Sequence, residues 1–219
     1  MGLRTERAMI RPWRPDEADR LLDIVGRPEV TAWLGDPAPW TREQVEDFIA
    51  GNADGPQIPI RRAIVPLATG IPVGTVMIER FKPLLGQPGD PHVGWYLHPD
   101  AQGHGWASEA AAALLGFAVA GGAPRVWAGM WPHNTGSANV ARRIGLVDLG
   151  RQPDPWYGTI EYPLSRFFCR WQPDAEHPLE LLARLNAAVV RQHATAEPPI
   201  GPDGAAYPGP DLLPHAISR

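Results

Sequence analysis

Residues 92–119 read HVGWYLHPDAQGHGWASEAAAALLGFAV, and this stretch decides the fold. His92–His98 is short, aromatic and β-branched, which predicts a strand. Pro99–Gly105 is turn material, with Gly103 and Gly105 two residues apart. Trp106–Val119 is rich in Ala and Leu, which predicts a helix. A glycine-bearing turn that runs into a helix presents unpaired backbone N–H groups and the positive end of a dipole. Glycine also lets a phosphate come close to that backbone. The stretch therefore predicts a seat for a phosphate-bearing cofactor.

The spacing narrows which cofactor. The turn lacks G-x-x-x-x-G-K-[ST] and G-x-G-x-x-G, so it is neither a nucleoside-triphosphate loop nor a dinucleotide fingerprint. It reads Gln102-x-x-Gly105-x-Ala107. That run resembles the Q/R-x-x-G-x-G/A signature of the GNAT N-acetyltransferases. Leu97-His98-Pro99, Ser108-Glu109-Ala110, Asn134-Thr135-Gly136-Ser137 and Ala141-Arg142-Arg143-Ile144-Gly145-Leu146 resemble the same family. The resemblance runs over roughly residues 3–168 and is strongest from His92 to Gly150. It is closest to the branch that includes ribosomal-protein N-terminal acetyltransferases.

The resemblance implies an α/β fold: a GNAT-like mixed, mostly antiparallel sheet of six to seven strands flanked by helices. It implies acetyl-CoA as acyl donor, no metal, and a primary amine as acceptor, on a protein N-terminus or a small molecule. The pyrophosphate would rest on Gln102, Gly103, His104, Gly105, Trp106 and Ala107. Main-chain groups of Tyr96, Leu97 and His98 would pair with the pantetheine arm, and Asn134 would contact it. Ser137 would give a proton to the departing sulfur. Trp33 and Trp40 would wall the acceptor site, unless they pack in the core as large aromatics commonly do. Relatives commonly read E-I-G-Y at the start of the central strand, with the Glu as candidate base. Here the positions read His92-Val93-Gly94-Trp95. The candidate bases are then His92, Asp154 and Glu161, while Glu109 is expected to support the loop. A succinyl or other acyl donor stays open. So does a non-catalytic coenzyme A sensor that keeps the fold, which turnover with a panel of amines would separate.

Other features set bounds. A chain of 219 residues fits one domain with or without an extension. Its net charge of −4 and lack of a basic run argue against bulk nucleic-acid binding. Cys169 is the single cysteine, so no internal disulfide can form, which fits a reducing cytoplasm. No apolar signal region and no membrane-spanning run is read.

In chain order, Leu3–Trp13 predicts a strand and Pro15–Val25 a helix, followed by a short helical piece at Glu29–Leu34. Thr41 and Gln44 form a capping-box start for a helix to about Asn52. Strands are predicted over Arg61–Leu67, Ile71–Phe81, Arg125–Trp131, Leu146–Arg151 and Trp156–Arg166, with a helix capped by Asn134 and ended by Gly145. Residues 1–170 are expected to form the acetyltransferase-like domain and 171–194 a helical extension. In that extension Leu179, Leu182, Leu185, Ala188 and Val189 make an apolar stripe. Residues 195–219 are proline-rich and predict a loose tail, or alternatively a segment that docks on a second copy in a homodimer.

Overall fold

Strand β5, Pro91–Leu97, occupies the middle of an eight-stranded sheet of order β1-β2-β3-β4-β5-β6-β8-β7. The structure is a computed structural model that describes residues 2–34, 39–51, 58–86, 88–157 and 164–195, with side chains described to residue 190. The other strands are β1 (Leu3–Arg4), β2 (Ala8–Arg11), β3 (Ile60–Pro66), β4 (Gly74–Arg80), β6 (Arg125–Met130), β7 (Val147–Pro153) and β8 (Leu164–Trp171). The helices are α1 (Ala18–Val25), α2 (Pro28–Thr31), α3 (Arg42–Ala50), α4 (Trp106–Ala120), α5 (Thr135–Arg143) and α6 (Pro178–Thr195). All pairings are antiparallel except β5 with β6.

Alternation along the strands divides the core. Val76, Ile78, Val93, Val126 and Ala128 face one side, where they pack on Ala107, Ala110, Ala111 and Leu114 of α4 and Ala138 and Ala141 of α5. The many alanines of α4 let it sit close to the strands. On the other side, Ala63, Val65 and Tyr96 meet α1, α2 and α3. Farther along the same side, Phe81, Trp127 and Phe167 meet Leu181, Leu182 and Leu185 of α6.

The expected α/β sheet is present, with one strand more than the upper expectation. Part of the difference comes from Leu3–Trp13, which forms two strands instead of one. The Thr5 amide donates to the Ala8 carbonyl (2.9 Å) and the Ala8 amide donates to the Thr5 hydroxyl oxygen (3.1 Å), which turns the chain there. The last strand also lies farther on than expected. Trp156 and Tyr157 belong to a turn, because the Asp154 carboxylate accepts from both of their amides (2.9 and 3.0 Å). In α6 Leu182, Leu185 and Ala188 are buried as expected, Leu181 joins them, and Leu179 is 40% exposed. The Thr41–Gln44 capping box forms as expected. Residues 196–219, the bulk of the expected tail, lie outside the described residues.

One carboxylate clasps the middle of the sheet. Asp90 stands just before β5, and its side chain accepts from Arg125 Nε (2.5 Å) and Trp127 Nε1 (3.0 Å), both on β6. The Asp90 and Arg125 side chains are 13% and 14% exposed, so removing one partner strands a charge away from water. Asp90→Ala should therefore lower unfolding stability by about 3 kcal/mol, read from chemical denaturation. A loss under about 1 kcal/mol would show that the clasp is solvated.

Candidate active site

The clasp holds the point where β5 and β6 touch, and beyond it they part. The only register pair between them is His92 with Trp127. The Phe81 amide donates to the Asp90 carbonyl (3.0 Å) and the His98 amide to the Val73 carbonyl (2.8 Å). With the β4–β5 register, these bonds set the phase of that ladder. His92, Gly94 and Tyr96 exchange hydrogen bonds with β4, and Val93, Trp95 and Leu97 turn their N–H and C=O groups toward β6. The Gln172 amide donates to the Pro124 carbonyl (2.9 Å), which by the same reasoning turns Trp127 and Gly129 of β6 toward β5. Past His92–Trp127 the facing groups of Trp95 and Leu97 have no strand to pair with.

That gap opens into a cleft of about 620 Å³. The start of α4 forms one wall. Gly103 (φ +79°) and Gly105 (φ +82°) take left-handed conformations that bring the turn onto the helix. Gln102, Gly103, Gly105, Ala107 and Ser108 all line the cleft. The N–H groups of the first turn of α4 have no intrahelical partner.

The turn is braced from outside by Arg7. Its guanidinium bonds Glu109 (Nε–Oε2, 2.8 Å) and the His104 carbonyl (3.2 Å), and lies 4.7 Å from the Trp106 ring centre. Glu109 also accepts from the Thr5 hydroxyl (2.6 Å) and the Arg7 amide (2.7 Å). Partial burial alone would raise the Glu109 pKa, but the bonds from Thr5 and Arg7 outweigh it and hold the carboxyl below its usual range. Glu109 thus supports the loop. Arg7 carries no mark in the sequence, because its partner is 102 residues away.

Asn134 caps α5: its Oδ1 accepts from the Ser137 amide (3.0 Å), which leaves its NH₂ free to serve a ligand. Asn134 and Ser137 both line the cleft. His92, Tyr96 and Leu97 line it too, as do Trp33 and His133, whose ring centres lie 5.3 Å apart.

His92 stacks on Phe81 (4.5 Å), whose other stacking partner is Trp156 (3.9 Å). Burial among these rings pulls the His92 pKa below its ordinary value, against weaker upward pulls from Glu79 and Asp154. His92 Nδ1 and Ser108 Oγ are buried with no hydrogen-bond partner among the described residues. The Tyr96 hydroxyl is buried as well, near Thr75 but outside hydrogen-bonding geometry with it. Buried polar atoms are rarely left so, and the residues that carry these three all line the cleft.

Several expected residues go elsewhere. His98 is buried away from the cleft. Its amide is taken by Val73, its carbonyl by the Ala101 amide (2.9 Å), its Nδ1 by the Asp100 amide (3.2 Å), and its Nε2 lies 3.4 Å from Asp23. Both its main-chain groups are engaged within the protein, and it is not among the residues that line the cleft. Trp40 packs on Phe48 (5.2 Å) and the α1–α3 core, not on the cleft. The exposed His104 side chain and the Trp106 ring lie outside the cleft lining, so only their main chain stays with the turn. Asp154 accepts from two amides and from Ser165 Oγ (2.7 Å), and it lies outside the lining, so its oxygens are committed to the turn. Glu161 lies outside the described residues. Ser108 was legible in principle, as a hydroxyl in the first turn of the helix that follows the phosphate turn.

Comparison with known proteins agrees with this geometry. Residues 7–147 match the family model described as Acetyltransferase (GNAT) domain. No curated protein matches the chain. Among solved structures, a GNAT-family acetyltransferase from Bacillus anthracis is similar at 21% identity and TM-score 0.65, covering 78% of this chain and 98% of that one. A ribosomal-protein-S5-alanine acetyltransferase from Vibrio fischeri is similar at 18% identity and TM-score 0.61, covering 81% and 100%. A ribosomal L7/L12 α-N-protein acetyltransferase in complex with coenzyme A is similar at 18% identity and TM-score 0.62, covering 78% and 98%.

The turn yields a test. Gly105→Val places a branched side chain at φ +82°, where its Cβ would also come within 3.2 Å of the Arg7 guanidinium. The strain is roughly 1–3 kcal/mol, which a folded domain tolerates. Calorimetry on the folded variant should show coenzyme A binding abolished. Near-normal affinity would mean that this turn does not hold the ligand.

Proposed function

The chain belongs to the GNAT acetyltransferase family and is an acetyl-CoA-dependent N-acetyltransferase, and from that premise we propose that His92 and Ser137 move the protons as a primary amine is acetylated in this cleft. The acceptor amine is carried by a protein N-terminus or a small molecule. The observation that carries the reading is the parting of β5 from β6, with unpaired main-chain groups and orphaned side-chain atoms collected around one cleft.

The residues fit the cofactor. The α4 N-terminus and the Gly103–Gly105 turn would take the pyrophosphate, with Ser108 Oγ as an added donor. Main-chain groups of Trp95 and Leu97 would pair with the pantetheine amides as a strand would. The Asn134 NH₂ would donate to a carbonyl of that arm. Acetyl-CoA, when bound, supplies a thioester whose carbonyl carbon is open to an amine.

The acceptor end has its own character. Glu29 is the only carboxylate among the cleft residues, and Trp33 and His133 stand near it. A carboxylate there draws an ammonium group, while the rings cover its carbon neighbours. The amine must then lose a proton before it can attack. A His92 pKa lowered by burial keeps the imidazole neutral at neutral pH, ready to take that proton directly or through a water. The Ser137 hydroxyl, with no hydrogen bond of its own among the described residues, would give a proton at Oγ to the leaving sulfur.

Thiol release with peptides and small amines as acceptors tests the proposal. Because the His92 pKa is lowered, the neutral form persists to more acid pH than for a free imidazole. The acid limb of kcat/KM should therefore fall below pH 6.5, the ordinary histidine value. His92→Ala should cost about tenfold or more in turnover and remove that limb. Unchanged turnover in the alanine variant would place the base elsewhere.

A further inference from the structure

The cleft passes through the sheet at the gap between β5 and β6, and its two sides differ. On one side stand α4 and α5, whose Ala107 and Ala138 pack with Val93 and Ala128. On the other stand α2 and the turn after it, whose Val30 and Leu34 pack with Met77 and Tyr96. Strand alternation places the His92 side chain on this second side with Tyr96. The phosphate turn claims the first side for the cofactor, which leaves the second for the acceptor.

Two cleft residues of the second side have nothing to do within the fold. Glu29 is exposed and has no ion pair or hydrogen bond among the described residues. Arg27, two residues earlier, is engaged with Asp23 (2.5 Å) instead. Trp33 follows one helical turn after Glu29, where its amide donates to the Val30 carbonyl (3.1 Å), and its ring is exposed beside His133. Arg143, the one basic residue of the lining besides the histidines, belongs to α5 on the first side. An unpaired carboxylate one turn from an exposed indole suits an organic cation, held by charge and by the ring face.

That cation differs from the reacting nitrogen. An amine attacks a thioester through its lone pair, so at that moment it is neutral and offers Glu29 no charge. It also has to reach the gap between the strands, beside the buried Tyr96, whereas Glu29 is exposed. The partner of Glu29 is therefore a group that stays charged throughout the reaction. The protein's net charge of −4 favours the approach of a multiply charged cation.

We propose that Glu29 and Trp33 hold a second positive charge of the acceptor, so that the preferred substrate is an amine that also carries another ammonium or a guanidinium group. The proposal rests on the acetyltransfer reading above and narrows its acceptor. Calorimetry at low salt on the full chain saturated with coenzyme A tests it with two matched pairs. One pair is diaminobutane and butylamine. The other is a short peptide with lysine at its second position and the same peptide with glutamine there. The doubly charged member of at least one pair should bind on the order of fivefold more tightly, the range of an exposed ion pair with a cation–π contact. The pair that discriminates identifies a small molecule or a protein N-terminus as the source of the amine. Glu29→Gln should bring that pair together by weakening only its doubly charged member, and Glu29→Asp should recover part of the preference. Glu43→Gln, which removes a charge outside the cleft lining, should keep it. The proposal is overturned if neither pair discriminates, if Glu29→Gln keeps the preference, or if it weakens both members equally. Failure of coenzyme A to bind would instead sink the cofactor reading, and the same titrations on the free chain would still decide the proposal.

Discussion

Everything in this molecule depends on β5 and β6 meeting once and then separating. A sheet gains by pairing its backbone groups, and unpaired ones cost free energy when buried. Here pairing stops after His92 and Trp127. The strands stay in one sheet for two reasons. Asp90 ties the closed end through Arg125 and Trp127. Beyond it, α4 and α5 pack across both halves, with Val93 on one strand and Val126 and Ala128 on the other in the same buried cluster. The open end is therefore a held gap, and a ligand with alternating donors and acceptors is the natural way to satisfy it.

The phosphate turn solves a second conflict. Glu109 sits in the first turn of α4, where a negative charge suits the helix dipole but would repel an anion arriving at the same terminus. Arg7 cancels that charge and at the same time ties down the His104 carbonyl and covers Trp106. The first hairpin of the chain, through Thr5 and Arg7, thus braces the turn before α4 without lining the cleft.

What was legible in the sequence follows from the range of each interaction. The strand–turn–helix unit, the Asn134 cap and the Thr41–Gln44 box are set by residues a few positions apart, and they stand where the spacing put them. Side-chain partners far along the chain were not legible. Arg7 with Glu109, and Trp40 with the α1–α3 core, depend on how elements pack. His98 sits at the strand end on the residue parity whose main chain faces β4, a phase that no composition reveals. Trp156 and Tyr157 look like strand residues by type. They form a turn because Asp154 binds their amides and Phe81 offers Trp156 a ring to stack on. The first residue of the α6 stripe is Leu181 and not Leu179 because both are apolar, and only the facing sheet selects one.

His92, the base proposed above, sits in an environment that sets its proton affinity. A carboxylate buried at this position would have its pKa raised, toward the neutral range where a base works best. Burial moves an imidazole the other way. Stacked on Phe81, His92 is held neutral, but each downward step in pKa also weakens its pull on a proton. Glu79 and Asp154 oppose that drop without touching the ring, since Glu79 is paired with Arg61 and Asp154 holds its turn. Their charges offset part of the desolvation. The same pair of carboxylates would favour the imidazolium in the moment after it accepts a proton. The turn that Asp154 stabilises keeps Trp156 against Phe81 and thereby the platform beneath His92.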